Sequence, residues 1–191
     1  MDVVGALLGL VLLAPLFAAV AVWIRLDSPG PVLFRQRRIG RDGRPFVLLK
    51  FRTMRVGADR EWRPPATRGE LDTFRFQEAD DPRVTRAGRW LRRTSLDELP
   101  NLWNVLRGEM SLVGPRPEVP EIVALYDARM RGRLAVKPGI TGLAQISGRG
   151  ELTTGEAIEY DLEYCRTWSL CLDVRILLRT VGTVLSRRGA I

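Results

Sequence analysis

The chain has 191 residues, the length of one domain with an appendage, and a formal charge of +8 from 30 Lys+Arg against 22 Asp+Glu. It contains no histidine, which excludes a histidine base, nucleophile or metal ligand and leaves Asp, Glu, Lys, Tyr, Cys, Ser and Thr for any chemistry. Lys50 and Lys137 are its only lysines, so the positive charge is almost wholly arginine, which grips carboxylate and phosphate in a two-pronged geometry and suits anionic partners: nucleic acid, anionic lipid or phosphorylated small molecules.

From Val3 to Ile24 the sequence VVGALLGLVLLAPLFAAVAVWI carries no charge. As a straight helix it would measure roughly 33 Å, enough to cross a bilayer. It lacks the polar face of a soluble helix, and only Met1 and Asp2 precede it, so the basic start of a signal peptide is missing. An uncleaved membrane segment is expected. Pro15, in mid-run, predicts a kink, either in a span or in a helix that enters one leaflet and leaves on the same side. Arg25, Arg35, Arg37, Arg38, Arg41 and Arg44 follow, which places the downstream part in the cytoplasm. Trp23 suits an interfacial anchor.

Ser28-Pro29-Gly30-Pro31 predicts a loop. Val32–Ile39 and Phe46–Phe51 are β-prone runs around Arg41-Asp42-Gly43-Arg44, where Asp-Gly signals a hairpin turn. Lys50 and Arg52 alternate with Phe51 and are expected on one strand face. Val56–Asp81, broken by Pro64-Pro65, reads as a polar loop with one helical turn, and Arg83–Arg93 as a basic helix. Thr94–Leu106, TSLDELPNLWNVL, sets the adjacent carboxylates Asp97 and Glu98 before Leu99, Leu102, Trp103 and Leu106 at helical spacing. Ser95 and Glu98 fit a capping box, with Pro100 marking a helix start nearer Leu99. Two Gly/Pro-rich stretches, GEMSLVGPRPEVPE and VKPGITGLAQISGRGE, predict rigid loops, and Gly150 beside Arg149 allows backbone to approach a ligand closely. Ala157–Cys165 reads helical. Leu170–Leu185 reads as a helix with Leu, Ile and Val on one side and Asp173, Arg175 and Arg179 on the other, which suits a core-facing or membrane-surface helix. Cys165 and Cys171 match no common zinc spacing, and nothing in the sequence supports a disulfide between them.

Locally, Asp97 and Glu98 read either as a helix cap with surface charge or as a nucleophile beside a metal ligand or base. A carboxylate can attack phosphorus and later leave, splitting one displacement into two. Such chemistry needs positive charge around the phosphoryl oxygens, and Arg92, Arg93, Arg116 and Arg149 offer it, although each singly also fits a solvated ion pair. Asp97, Glu98, Asp161 and Asp173 are candidate Mg²⁺ ligands, the last two equally suited to pairing arginines. Lys50 and Arg52 read as a phosphate-facing or a solvated strand face. Together these features suggest a lipid-phosphate or nucleotide substrate. A membrane-tethered basic module binding anionic lipid or nucleic acid is the alternative, but it has no use for vicinal acids. A non-catalytic scaffold is a third.

Four segments, SPGPVLFRQRRIGRDGRPFVLLKFRTM, LRRTSLDELPNLWNVLRGEMSLVGPRPE, VKPGITGLAQISGRG and YDLEYCRTWSLCLDV, resemble in order and register those of the bacterial sugar transferases, the monotopic phosphoglycosyl transferases. The chain looks like the minimal form, without the extra N-terminal membrane domain of larger members. The resemblance implies an α+β, mainly helical fold: a re-entrant membrane helix over 1–25, then a cytoplasmic catalytic domain over 26–191 with a small β-hairpin, at the bacterial inner membrane. It implies transfer of a sugar-1-phosphate from a UDP-sugar to polyprenyl (undecaprenyl) phosphate with release of UMP, at the start of surface polysaccharide assembly. Membrane lipid and downstream glycosyltransferases are the implied partners, with no nucleic acid. Asp97 matches the nucleophile that forms a phosphosugar–aspartyl intermediate, and Glu98 its partner toward Mg²⁺ or the acceptor. Arg116 matches a substrate-phosphate contact; Arg92 and Arg149 match nearby basic positions, and Asp161 and Asp173 two acidic ones. Where the family breaks its membrane helix at Ser-Pro, this chain has Ala14-Pro15.

Overall fold

The structure, a computed structural model, describes residues 1–75, 81–148 and 151–186. It is mainly helical with two small sheets.

The apolar N-terminus forms two helices, α1 (Asp2–Leu12) and α2 (Ala14–Asp27), bent by 61° at Leu13. The expected kink is thus a full break. Pro15 sits in the first turn of α2, where a missing N–H costs nothing. Among the described residues no single helix is long and apolar enough to cross a membrane, and this bent pair passes only jointly, by length and composition. One face of the pair is buried: Ala6 packs with Phe46, Leu102 and Met110, and Val20 and Ile24 pack with Phe51 and Leu91. The other face leaves Val4, Leu7, Val11, Leu12, Val22 and Leu26 exposed.

Strands β1 (Leu33–Ile39) and β2 (Pro45–Phe51) form the antiparallel hairpin, with Phe34 opposite Lys50 and Arg38 opposite Phe46. Asp42 and Gly43 both have positive φ, 56° and 75°, in the turn between them. After α3 (Arg68–Thr73), helix α4 (Arg86–Thr94) is capped by Thr85. Gly88 in its first turn lets α4 approach the hairpin: a Cβ there would lie 1.9 Å from the Thr53 carbonyl oxygen.

The capping box at Ser95 does not form. Ser95 ends α4 in a left-handed conformation, its N–H donating to the Arg92 carbonyl, and makes no side-chain cap bond. Leu96–Glu98 is a 3₁₀ turn, and α5 (Asn101–Leu106) starts after Pro100. Buried Asn104 fastens α5 to the hairpin by accepting from Leu49 N–H at 3.1 Å and donating to the Val47 carbonyl at 2.7 Å.

Strand β3 (Ser111–Val113) pairs in parallel with β4 (Gly139–Thr141), and the short helix α6 (Pro120–Ala124) lies between them in sequence. The chain then runs through α7 (Leu143–Ser147), α8 (Thr154–Thr167), which carries a complete Thr153–Glu156 capping box, and α9 (Leu170–Ser186). The expected faces of α9 are corrected. Asp173, Ile176 and Thr180 turn inward, while Val174, Leu178 and Val181 are exposed. Asp173 can face inward because Tyr164 and Trp168 donate to its carboxylate at 2.7 and 3.3 Å.

Candidate active site

A cleft of about 1090 Å³ opens between the hairpin, the turn after α4, the Gly114–Glu118 loop and the α7–α8 region. Lys50, Arg52, Arg92, Asp97, Glu98, Arg116 and Asp161 all line it. These residues come from five separate stretches of sequence, and the fold brings them to one cavity.

The 3₁₀ turn presents the two acids differently. Asp97 is 6 % exposed, and among the described residues no side chain or backbone group hydrogen-bonds to its carboxylate. Glu98 is committed at both oxygens: Arg116 Nη2 donates to Oε1 at 2.8 Å and Asn101 Nδ2 to Oε2 at 2.6 Å. Burial first, and then the Glu98 charge, push the Asp97 carboxyl above the ordinary value of 3.8, against the pull of Lys50, Arg116 and Arg92. Burial works against ionised Glu98 too, but the Arg116 guanidinium and Lys50 outweigh it and hold that carboxyl below its usual 4.5. Neighbouring acids whose environments push them apart suit different chemical roles.

The cations are placed by specific contacts. Arg92 Nε donates to Thr53 Oγ1 at 3.1 Å, a bond made possible by the close seating of α4 at Gly88. Half-buried Lys50 lies with its Nζ 5.5 Å from the Phe34 ring centroid, and burial lowers its affinity for a proton while Glu98 and Asp97 raise it. Arg116 projects from a loop held between Pro115 and Pro117, with its side chain partly exposed to the cleft.

Other expected site residues have structural partners. Arg52 lies just past β2, and its guanidinium donates to the carbonyls of Pro31, Pro29 and Ser28 at 2.7, 2.8 and 2.9 Å. Its charge fastens the loop after α2, and the residue lines the same cleft as Lys50. Asp161 reaches the cleft wall but is ion-paired with buried Arg133. Asp173 does not line the cleft and ties α9 to α8. Arg149 lies outside the described residues, as does Gly150. Arg38, Glu118, Arg133 and Asn101 surround the site and were not singled out from the sequence. Glu118 directly follows the Pro-Arg-Pro run, which is the one local cue to it.

For a metal, the donors at hand are Asp97 and Glu98; among the described residues no group of three or more acidic or sulfur ligands could hold an ion alone. Two carboxylates fit Mg²⁺, which commonly takes one or two from protein and completes its shell with phosphate and water. Asp97, with no hydrogen-bond partner among the described residues, has lone pairs available.

The family model described as bacterial sugar transferase matches residues 1–187. The chain is 41 % identical over 191 residues to the galactosyl transferase CpsE of Streptococcus agalactiae, covering all of this chain and 42 % of that protein. It is 47 % identical over 200 residues to the undecaprenyl-phosphate glucose phosphotransferase of Komagataeibacter xylinus, covering 99 % and 36 %. With the exopolysaccharide production protein ExoY of Sinorhizobium fredii it shares 43 % identity over 194 residues, covering 99 % of this chain and 85 % of the relative. The chain therefore spans about two fifths of the first two relatives and most of the third.

Proposed function

The chain belongs to the bacterial sugar transferase family, and from that membership and the geometry of its acidic pair we propose that it transfers a sugar-1-phosphate from a UDP-sugar to polyprenyl phosphate, releasing UMP. The names of the relatives point to glucose or galactose as the sugar, to undecaprenyl phosphate as the acceptor and to exopolysaccharide production, and we place the transfer at the start of that assembly. Downstream glycosyltransferases would take up the product.

The observation that carries this reading is the buried Asp97 carboxylate, without a hydrogen-bond partner among the described residues, in a cleft lined by Lys50, Arg92 and Arg116. In the first step an Asp97 oxygen bonds to the β-phosphorus, the bond from that phosphorus to the bridging oxygen breaks, and UMP leaves with the electron pair. In the second, a polyprenyl phosphate oxygen attacks the same phosphorus, and the Asp97 carboxylate leaves with the electrons of the acyl-phosphate bond. The low basicity of a carboxylate makes that second departure feasible. Arg116 and Arg92 spread charge from the phosphoryl oxygens, and the ordered Glu98–Arg116 pair fixes where that charge sits. Asp97 and Glu98 would hold Mg²⁺, which when bound neutralises diphosphate charge.

We assign 1–25 to a re-entrant membrane helix and 26–191 to a cytoplasmic catalytic domain at the bacterial inner membrane. The support is that both ends of the bent pair are fastened to the same body. Asp2 accepts from Ser111 Oγ at 3.1 Å and Leu112 N–H at 3.2 Å, and Asp27 accepts from Ala87 N–H at 3.0 Å. Helix α1 is roughly 16 Å long at about 1.5 Å per residue, half the ~30 Å hydrocarbon thickness. The exposed apolar faces of the pair and of α9 would meet lipid, where a soluble surface would spend polar residues.

The test is UMP release from a panel of UDP-hexoses with undecaprenyl phosphate and Mg²⁺ in detergent or nanodiscs. Sustained release with at least one hexose, dependent on the acceptor, supports the assignment; none with any UDP-sugar overturns it.

A further inference from the structure

Arg133 lies in the 3₁₀ turn Met130–Ala135, away from the acidic pair in sequence, and is 4 % exposed. A buried guanidinium needs both charge balance and directed acceptors. Arg133 has several: Nη1 donates to the Tyr126 hydroxyl, Nη2 donates to Asp161 Oδ2, and Glu118 Oε1 lies 3.8 Å from Nη1. Nη2 also donates, at 2.8 Å, to the backbone carbonyl of Arg116. The next carbonyl along, that of Pro117, accepts from buried Arg38 at 3.0 Å. Two buried arginines thus hold successive carbonyls of the loop that carries Arg116.

The rest of that loop is pinned as well. Gly139 N–H donates to the Pro115 carbonyl and Ile39 N–H to the Glu118 carbonyl, both at 2.8 Å, and the two prolines fix their own φ. The backbone of Arg116 has little freedom, so its side chain leaves the loop in a set direction, toward Glu98. Arg38 and Arg133 face Glu118 and Asp161, an electrically balanced buried group in which loss of one arginine would leave an uncompensated carboxylate.

We propose that Arg133 is a positioning residue for the transfer reaction: through the Arg116 carbonyl it aims the Arg116 guanidinium at Glu98 and the phosphoryl site, and Asp161 serves the reaction by fixing Arg133. This rests on the transferase reading above. It gives Asp161 a role one step removed from the substrate. Lysine at 133 would keep the charge but could not reach Tyr126, Asp161 and the Arg116 carbonyl together, because an ammonium lacks the planar fork.

The experiment is a double-mutant cycle between positions 133 and 116, read as kcat and KM for the UDP-sugar, with active sites counted by single-turnover UMP release. Arg133→Lys is expected to lower kcat about tenfold to hundredfold, the cost of a misplaced catalytic group, with KM within about threefold. In an Arg116→Lys background the same change should cost less than about threefold, because its route of action is already broken. Additive effects, or an Arg133→Lys enzyme with wild-type kcat, would overturn the proposal. If Arg133→Lys does not fold, the near-isosteric Asp161→Asn replaces it in the same cycle with the same expectation; if neither folds, the cluster is structural only and the proposal falls. A wild-type protein that releases no UMP would instead sink the transferase reading, and this inference with it.

Discussion

Arg116 donates a 2.8 Å hydrogen bond to Glu98, while Asp97, the preceding residue, receives none from any described residue. Two adjacent acids therefore differ in kind. Glu98 is ordered and held ionised; Asp97 is buried, raised in pKa and unpartnered among the described residues. A carboxylate that is poorly solvated and not tied down by hydrogen bonds is the better nucleophile of the two.

The pH dependence of turnover should follow that asymmetry. Attack requires ionised Asp97, whose pKa is raised above 3.8, mainly by burial. As pH falls, kcat/KM for the UDP-sugar should drop through a value above 3.8, while Glu98, held below 4.5, is still ionised. A pH–rate profile with its acid limb at or below 3.8 would contradict this assignment.

The same shift predicts a trade between stability and activity. A carboxyl whose folded pKa is raised favours the protonated form in the fold, so ionised Asp97 destabilises above the unfolded pKa, and the penalty disappears as pH falls below it. Asp97→Asn removes the charge. It should stabilise by about 1–3 kcal/mol at neutral pH, raising the melting temperature by several degrees, with the gain vanishing near pH 4. Thermal melts of both proteins across pH would show it; equal or lower stability of the variant at pH 7 would count against a desolvated Asp97.

Arg52 should matter for folding rather than turnover. Its three charge-assisted bonds to the carbonyls of Ser28, Pro29 and Pro31 close the joint between α2 and the hairpin. Arg52→Met is expected to cost about 1–3 kcal/mol by removing charge-assisted hydrogen bonds to these partly exposed carbonyls, with kcat/KM of the folded fraction within about threefold of wild type. A stable Arg52→Met protein with a large rise in KM for the UDP-sugar would return Arg52 to the substrate.

Membrane topology has a direct readout. With Asp2 fastened at Ser111–Leu112 and Asp27 at Ala87, a tag at Met1 should be labelled from the same side of sealed vesicles as a tag at the C-terminus. Labelling from opposite sides would replace the re-entrant pair by a span.

Local signals in the sequence were readable where local physics decides. Asp42-Gly43 takes the positive φ of a hairpin turn, and Pro15 breaks the apolar run. The Ser95 capping box failed because one residue cannot both end α4 in a left-handed conformation and start the next helix in an extended one. The faces of α9 were misassigned because Asp173 is buried only by virtue of Tyr164 and Trp168. The polar frame of the site, Arg38–Glu118 and Arg133–Asp161, joins residues 80 and 28 positions apart. No periodicity or short motif encodes such pairs; they appear only when the hairpin, the Pro-Arg-Pro loop and α8 meet.

In the proposed mechanism Asp97 carries the phosphosugar between the two transfers. Incubating the protein with a UDP-hexose and Mg²⁺ but no polyprenyl phosphate, followed by acid quench and intact-mass measurement, tests it most directly. The expected result is a burst of UMP of at most one equivalent and a protein heavier by one hexose phosphate, the adduct mapping to Asp97 and absent in Asp97→Asn. An active wild-type enzyme that shows no adduct and no burst without acceptor, or an Asp97→Asn protein that still turns over, would contradict it.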